Sequence, residues 1–321
     1  MRSGPAIILR ARGAGSPVTI TLQQRGISLR NKLIASALAV SACAGIVALS
    51  PATASAARVD SYQGNGSNGR ALGFDYEKAA AYHAGKPAKA VTFGKPKALN
   101  SFTAAPASFS LKEFALPAGD QGNVGSCVAW ATGYSGIGLL MKEQGINGAP
   151  MAPMFIYSQI AKGVDRGTWA SVALPMEQQQ GIDTKAHYWQ GDFDYTTQPD
   201  AAERANAANY KISGYTDLTN VIDRKTAVKE AIASGLPVAI GAKVRSSFWD
   251  VSAANDVYVP KGKVEGGHEI TIVGYDANYV TIQNSWGKDW GKDGFFRAPW
   301  SWITSGEVDE VHSIGKLVPA V

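Results

Sequence analysis

The stretch "DQGNVGSCVAW", residues 120–130, opens an apolar helix with a cysteine at its start. The run that follows predicts a helix over 126–145, with Ser126 as N-cap and Gly145 as its stop. A thiol at the N-terminus of a helix feels the positive end of the helix dipole, which favours the thiolate. Cys127 could be a buried apolar residue, half of a disulfide, a metal ligand or a nucleophile, and the rest of the sequence has to decide between these.

The segments after this helix change their apolar period along the chain. Helical spacing, with apolar residues three and four apart, comes first, and alternation with a period of two follows. The predicted helices are 152–163, 173–181 and 224–235, and the predicted strands are 236–244, 268–276, 279–286 and 294–300. This order predicts an α+β fold with a helical lobe followed by a mainly antiparallel β lobe. Any partner of Cys127 is therefore expected in the strand half.

The N-terminal region, residues 1–56, accounts for the basic charge of the chain. It holds six of the 31 Lys and Arg residues and no Asp or Glu, which leaves 25 basic against 26 acidic side chains in the remainder. Without that region the chain has no basic excess, so we predict no nucleic-acid partner.

The same region predicts export. A basic stretch precedes the apolar run 33–50, and Ala54 and Ala56 form an A-x-A site, so we expect a signal peptide over 1–56 and an extracellular or cell-envelope protein. Cys43 lies in "VSAC", which resembles a bacterial lipidation box, but the apolar run continues beyond it. Lipidation at Cys43 and the signal peptide are the only membrane contacts that the sequence suggests.

Residues 57–108 are rich in Ala, Gly, Lys, Ser and Asn, and their apolar periodicity is weak. We expect a linker or prosegment here, mostly extended or disordered, ahead of a domain over 109–321.

The histidines help to decide the role of Cys127, because a histidine could serve either as a further metal ligand or as the base of a nucleophilic thiol. A structural zinc site needs several Cys or His ligands at short spacing. After the predicted signal peptide the chain holds one Cys and four His, none of them in a C-x-x-C or H-x-x-H pair, so no metal site is predicted. His268 stands out, because it begins an apolar strand after "EGG" (265–267), and Asn284 follows on the next strand. An Asn oxygen there could fix the tautomer of the imidazole. We expect His83 to lie in the prosegment, and we interpret His187 and His312 as structural residues without visible partners.

Three motifs now stand in order: "QGNVGSC" (121–127), "GGHEITIVGY" (266–275) and "NSWGKDWGKDGFFR" (284–297). Together they resemble the papain-like cysteine peptidases, and the separation of Cys127 from His268 lies inside the window of roughly 130–150 residues typical of that family. The resemblance covers about 109–312 and implies a two-lobed papain-like fold. It also suggests a divergent, bacterial and exported member.

The resemblance implies a role for each motif residue. Cys127 would be the nucleophile, His268 the base and then the acid, and Asn284 its orienting partner. Gln121 would donate to the oxyanion. Two tryptophans would line the substrate side of the site, namely Trp286, which shields the His–Asn hydrogen bond, and Trp290. The implied activity is hydrolysis of peptides or proteins through a thioester acyl-enzyme, without a cofactor.

The chain departs from the family pattern beside the nucleophile. Val124 and Val128 replace a Cys and a Trp, and the C-x-G-G segment has only a loose counterpart at Gly167, which leaves the side-chain preference open. Three alternatives therefore remain. They are another amide hydrolase or a transpeptidase on cell-wall peptides, a binding module that lost the chemistry, and a surface or adhesion domain on a 57–108 stalk. The oligomeric state is not predicted.

Overall fold

Cys127 begins a continuous helical stretch that ends at Gln144, as the apolar run predicts. The computed structural model describes residues 69–93 and 104–318, so the predicted signal region and Cys43 lie outside the described residues. The stretch consists of α2 (Cys127–Ala129), a π-helical segment (Trp130–Ile137) and α3 (Gly138–Gln144). Gly145 ends it in the left-handed region, with φ of 66°. The Ser126 hydroxyl does not cap this helix but donates to the Val124 carbonyl at 3.4 Å.

The remaining elements follow the predicted order, helices before most strands. The other helices are α1 (Tyr76–His83), α4 (Pro153–Ala161), α5 (Ala170–Gln179), α6 (Ala201–Ala207), α7 (Arg224–Ala233) and α8 (Trp300–Ile303). The strands are β1 (Phe109–Ser110), β2 (Tyr215–Asp217), β3 (Val238–Arg245), β4 (Val264–Tyr275), β5 (Tyr279–Gln283), β6 (Phe295–Pro299) and β7 (Val308–Ile314). Two short 3-10 helices, Lys112–Phe114 and Ser246–Asp250, join them. No helix within the described ranges is long and apolar enough to cross a membrane.

All seven strands of the described residues form one antiparallel sheet. Its order is β2-β7-β3-β4-β5-β6, with β1 paired to the end of β4. Strand β4 lies near the centre, where His268 is opposite Ala242 of β3. The α+β prediction is confirmed, although β2 precedes the last long helix and β7 was not predicted from the sequence.

Two apolar clusters stabilise the two lobes. One gathers sheet residues such as Ile270, Val280 and Trp286, together with α7 and α8. The other gathers α2 to α5 and includes Cys127, Phe155 and Leu174. Because burial of each large apolar side chain contributes about 1.5–3 kcal/mol, each cluster can hold its own lobe together. The catalytic motifs lie where the lobes meet.

The expectation that residues 57–108 are mostly extended or disordered is wrong for residues 69–93, whereas a prosegment role stays a prediction. Residues 76–83 form helix α1, capped by the Asp75 carboxylate, which accepts from the Lys78 N–H at 3.0 Å. Leu72, Phe74 and Ala79 are buried, and all three belong to the two cores. The segment is ordered by contacts with residues far along the chain, which local apolar periodicity does not reveal.

Candidate active site

The loop before α2 fixes the position of Cys127. The Gly125 N–H donates to both oxygens of the Asp165 carboxylate, at 3.0 and 3.2 Å. The Trp130 N–H donates to the Ser126 carbonyl at 3.1 Å and so starts the helix. Cys127 therefore begins a helix, as predicted, and its side chain is fully buried.

His268 and Asn284 lie together on neighbouring elements of the β lobe. The imidazole Nε2 donates to the Asn284 Oδ1 at 2.7 Å, and the Ser285 N–H donates to the same oxygen at 2.8 Å. The other ring nitrogen, Nδ1, is buried and has no hydrogen-bond partner among the described residues. With Nε2 protonated, Nδ1 carries the lone pair that can accept a proton.

A backbone contact brings the two halves of the site together. The N–H of Glu269, the residue after His268, donates to the Cys127 Sγ at 3.4 Å. Strand β4 thus passes directly against the start of α2, although Cys127 and Glu269 are 142 positions apart. The contact places the residue next to His268 against the thiol, whereas the pairing of Cys127 with His268 itself stays a prediction.

Gln121 is also buried at the site, and hydrogen bonds hold its amide. Its Nε2 donates to the Val124 carbonyl at 3.0 Å, and its Oε1 accepts from the Ser285 hydroxyl at 2.7 Å. A side-chain amide has two N–H hydrogens, so one remains for an oxyanion.

Aromatic rings cover the His–Asn pair. The Trp286 ring stacks on His268 with centroids 4.8 Å apart and is fully buried. Trp249 stacks on its other side at 5.1 Å, with an interplanar angle of 6°. Trp290 meets Trp286 edge-on at 5.4 Å. The sequence analysis missed Trp249 and its neighbour Phe248, since "SSFWD" (246–250) shows no family motif.

Burial disfavours the charged forms of both Cys127 and His268. Desolvation raises the pKa of the Cys127 thiol far above its ordinary value, against the lowering effect of backbone hydrogen bonds from Glu269, Gly73 and Val128. Desolvation also lowers the pKa of His268 to about 4, although the hydrogen bond to Asn284 opposes this. A thiolate–imidazolium pair is therefore disfavoured in this state of the site.

The N-terminal segment contributes to that burial. A Cβ built on Gly73 would lie 3.0 Å from the Cys127 Sγ and 2.2 Å from the Gly125 carbonyl oxygen, so only glycine fits there. The Thr168 N–H donates to the Gly73 carbonyl at 2.9 Å, and the Asp75 N–H donates back to the Thr168 carbonyl at 2.9 Å. The Trp286 Nε1 donates to the Ala71 carbonyl at 3.2 Å. Residues 71–75 therefore cover the thiol.

The Phe74 side chain fills a pocket beside the thiol. A Cβ on Gly241 would lie 2.3 Å from two carbons of the Phe74 ring and 2.6 Å from Oε2 of Glu269. The ring and the carboxyl thus share the space over Gly241. Both Glu269 oxygens are buried without a hydrogen-bond partner in the described chain, and burial, together with the nearby charge of Glu310, raises the pKa of this carboxyl well above its ordinary value. The sequence analysis did not single out Glu269.

The other histidines have partners that the sequence did not reveal. His187 Nδ1 lies 2.8 Å from Oδ2 of Asp183, and the ring is partly exposed. His83 and His312 come together near Glu310, whose Oε1 is 3.3 Å from the His83 Nε2. The interpretation that His187 and His312 lack partners was wrong. Asp183 lies only four residues before His187 and was overlooked, whereas His312 lies on the unpredicted strand β7 and contacts the distant Ser171 hydroxyl at 3.3 Å.

Comparison with known proteins agrees with this geometry. Residues 105–302 match the domain described as papain family cysteine protease. An uncharacterized peptidase C1-like protein of Acanthamoeba polyphaga mimivirus is 28% identical over 200 residues, which is 57% of this chain and 64% of that protein. A cathepsin B-like protein of Giardia intestinalis is 40% identical over 78 residues, 22% of this chain and 25% of that protein. The chain thus spans less than two thirds of these relatives.

Solved structures share the fold. Xylellain, a cysteine protease from Xylella fastidiosa, superposes with a TM-score of 0.59 at 24% identity, covering 73% of this chain and 95% of that one. The ragweed pollen cysteine protease Amb a 11 in its proform superposes with a TM-score of 0.56 at 20% identity, covering 77% of each chain.

Proposed function

Because the chain belongs to the papain family of cysteine proteases, we propose that it hydrolyses peptide bonds with Cys127, His268 and Asn284. The observation that carries this proposal is the 2.7 Å hydrogen bond between the His268 Nε2 and the Asn284 Oδ1. His268 lies on β4, the strand that passes against the Cys127 sulfur. A general base must be held in one tautomer next to its nucleophile, and this arrangement meets that need.

The reaction proceeds in two halves. His268 Nδ1 takes the thiol proton, and the sulfur attacks the carbonyl carbon of the scissile bond. The negatively charged oxygen that forms accepts a hydrogen bond from the free Gln121 N–H. The C–N bond then breaks, and His268 gives its proton to the leaving amine. Water then attacks the thioester with His268 as base, which releases the acid and restores the thiol. Trp286 excludes water from the His–Asn hydrogen bond, and Trp290 lies on the substrate side.

Residues 57–108 act in this proposal as a prosegment that keeps the enzyme latent. Gly73 lies against the sulfur, where a substrate carbonyl would have to approach, and the buried ring of the next residue, Phe74, helps to hold the segment there. A latent form also suits export, which we propose from the signal-like residues 1–56 and the A-x-A site. Latency would prevent cleavage of the cell's own proteins during passage.

A cleavage assay tests the activity. The chain freed of residues up to 93 by cleavage at a protease site placed between Phe93 and Ala104, and its Cys127→Ala variant treated in the same way, would be offered a mixed peptide library and, in parallel, cell-wall peptides. We expect hydrolysis of library peptides that Cys127→Ala abolishes. Turnover of cell-wall peptides alone would favour the amide hydrolase or transpeptidase alternative. Substrate binding that survives loss of the thiol, without any turnover, would favour a binding module or adhesion domain.

A further inference from the structure

Three side chains from three elements converge at the C-terminal end of α1. His83 ends α1, Asp217 ends β2 and His312 lies on β7, and one potential ligand atom of each lies within 4.8 Å of the others. We call these three residues the His83 cluster. Both imidazoles are almost completely buried, whereas the Asp217 side chain is 22% exposed and leaves a path to solvent.

We propose that the His83 cluster binds a divalent transition-metal ion, with Zn²⁺ as the best fit, and that this ion holds the N-terminal segment on the peptidase domain. Two imidazoles and one carboxylate form a ligand set that such ions favour, and the open side of Asp217 leaves room for water as a fourth ligand.

The distances between the ligand atoms favour a shared ion over direct hydrogen bonds. The His83 Nδ1 lies 3.5 Å from Oδ2 of Asp217, and the His312 Nε2 lies 3.9 Å from Oδ1 of Asp217. Neither contact is a hydrogen bond, because the His83 Nδ1 has no hydrogen-bond partner among the described residues and 3.9 Å is too long for an N–H···O bond. The His312 Nε2 has a long contact of 3.3 Å with the Ser171 hydroxyl, which an ion would replace. Two ligands at about 2.0–2.1 Å from a tetrahedral ion are roughly 3.4 Å apart, so small side-chain movements would complete the site.

The unused nitrogen of His83 points the same way. Its Nδ1 is buried without a hydrogen-bond partner in the described residues, although it faces a carboxylate. Its Nε2 is 3.3 Å from Oε1 of Glu310, so the N–H can be donated there. A histidine that ligates a metal through one nitrogen typically donates the other N–H to a carboxylate, as His83 does here.

Glu310 is itself held rigidly in this supporting role. Its Oε2 accepts from the Ala170 N–H at 2.8 Å, and its Oε1 accepts from the Ser171 N–H at 2.9 Å and from the Ser171 hydroxyl. Two carboxylates, those of Asp217 and Glu310, thus lie against the paired histidines, and a divalent cation between them would balance acidic groups placed in an interior.

The consequence concerns latency. Of the three ligands, only His83 belongs to the segment that covers Cys127, so the ion would bind tightly only while the segment is in place. By linkage, metal binding stabilises the covered state, and removing the metal favours release of the segment.

A metal-binding measurement tests this without relying on peptidase activity. The full chain with Cys127→Ser, which cannot cleave itself or offer that thiol to zinc, would be dialysed against ZnCl₂ and then against metal-free buffer. Bound zinc and the melting temperature would be measured for this parent and for His83→Asn, His312→Asn and His187→Asn in the same background. Cys43 is present in every variant, so it cannot cause a difference between them.

We expect the parent to bind one more zinc ion per chain than His83→Asn and His312→Asn do. Zinc should also raise the melting temperature of the parent but not that of these two variants. His187→Asn, whose ring lies outside the cluster, should match the parent. Glu310→Gln should weaken zinc binding about 10- to 100-fold without abolishing it. Equal zinc in the parent and in a folded His83→Asn variant would overturn the proposal, as would a parent that binds none.

Discussion

At the scale of single residues, the candidate site combines the hydrogen bond between His268 and Asn284 with a thiol and an imidazole whose charged forms are disfavoured by burial. The sequence motifs identify Cys127, His268, Asn284 and Gln121 because their types and spacing are specific. They cannot reveal that Cys127 is completely buried, nor that Glu269 supplies both a backbone donor to the sulfur and an unpartnered carboxyl. These properties depend on which distant residues cover the site.

Replacing Gln121 tests the oxyanion contact. Gln121→Ala removes one N–H donor from the developing charge, so kcat should fall by about 10²–10³ while KM changes little. Steady-state kinetics of the activated enzyme would measure this. Gln144→Ala is a matched control, because that amide bonds to the Leu317 backbone far from the site. An unchanged kcat in folded Gln121→Ala would exclude the assigned role.

Replacing Glu269 tests its raised pKa. Below the ordinary pKa of a glutamate, Glu269 is protonated in both the folded and the unfolded chain. Its raised pKa then makes no difference to the free energy of unfolding. As the pH rises above that value, the unfolded chain ionises while the buried carboxyl keeps its proton, so the free energy of unfolding falls until the folded pKa is reached. Glu269→Gln should therefore melt at higher temperature than wild type at neutral pH, and the difference should shrink toward pH 4.5.

Melting curves at several pH values, recorded in the Cys127→Ser background, would measure this difference. Parallel curves for wild type and Glu269→Gln would show that the carboxyl is not buried as described.

At the scale of elements, the segment 69–93 is the least predictable part of the described chain. Its composition is that of a linker, yet α1 and the residues before it pack on both lobes. Strand β7 escaped prediction for a related reason, since buried Glu310 and His312 interrupt its apolar alternation. Both errors arise because polar or weakly patterned residues become buried only through partners elsewhere in the fold. The apolar helix from Cys127 and strands β3 to β6 were predictable from local pattern.

Replacing Phe74 tests how the segment is held. Burying a phenylalanine contributes about 1.5–3 kcal/mol, so Phe74→Ala should raise the uncovered fraction roughly 10- to 100-fold. The initial rate at which a thiol reagent modifies Cys127 in the full chain would report this. Tyr82→Ala is the control, since that ring on α1 is 49% exposed and should affect the rate much less. Equal rates in both variants would mean that Phe74 does not hold the cover.

At the scale of the whole molecule, the helical lobe and the β lobe meet at the Cys127 thiol, and residues 71–75 of the N-terminal segment cover it. Three sequence motifs in order were sufficient to predict the papain-like α+β fold, because each motif is tied to one element of the two lobes. The covered state could not be predicted, since it depends on Gly73 fitting between the Cys127 sulfur and the Gly125 carbonyl. The described molecule, with its thiol covered, therefore agrees with our proposal of a latent enzyme.

The most direct test of this account is the reactivity of Cys127 before and after the segment is released. A specific protease site would be introduced between Phe93 and Ala104, and the chain would be treated with a papain-family-directed epoxide before and after cleavage, with the adduct located by mass. We predict little labelling of the intact chain, rapid labelling of Cys127 at neutral pH once residues up to 93 have dissociated, and peptide hydrolysis that appears in parallel. A folded domain that has lost the segment and still leaves Cys127 unlabelled would contradict the account.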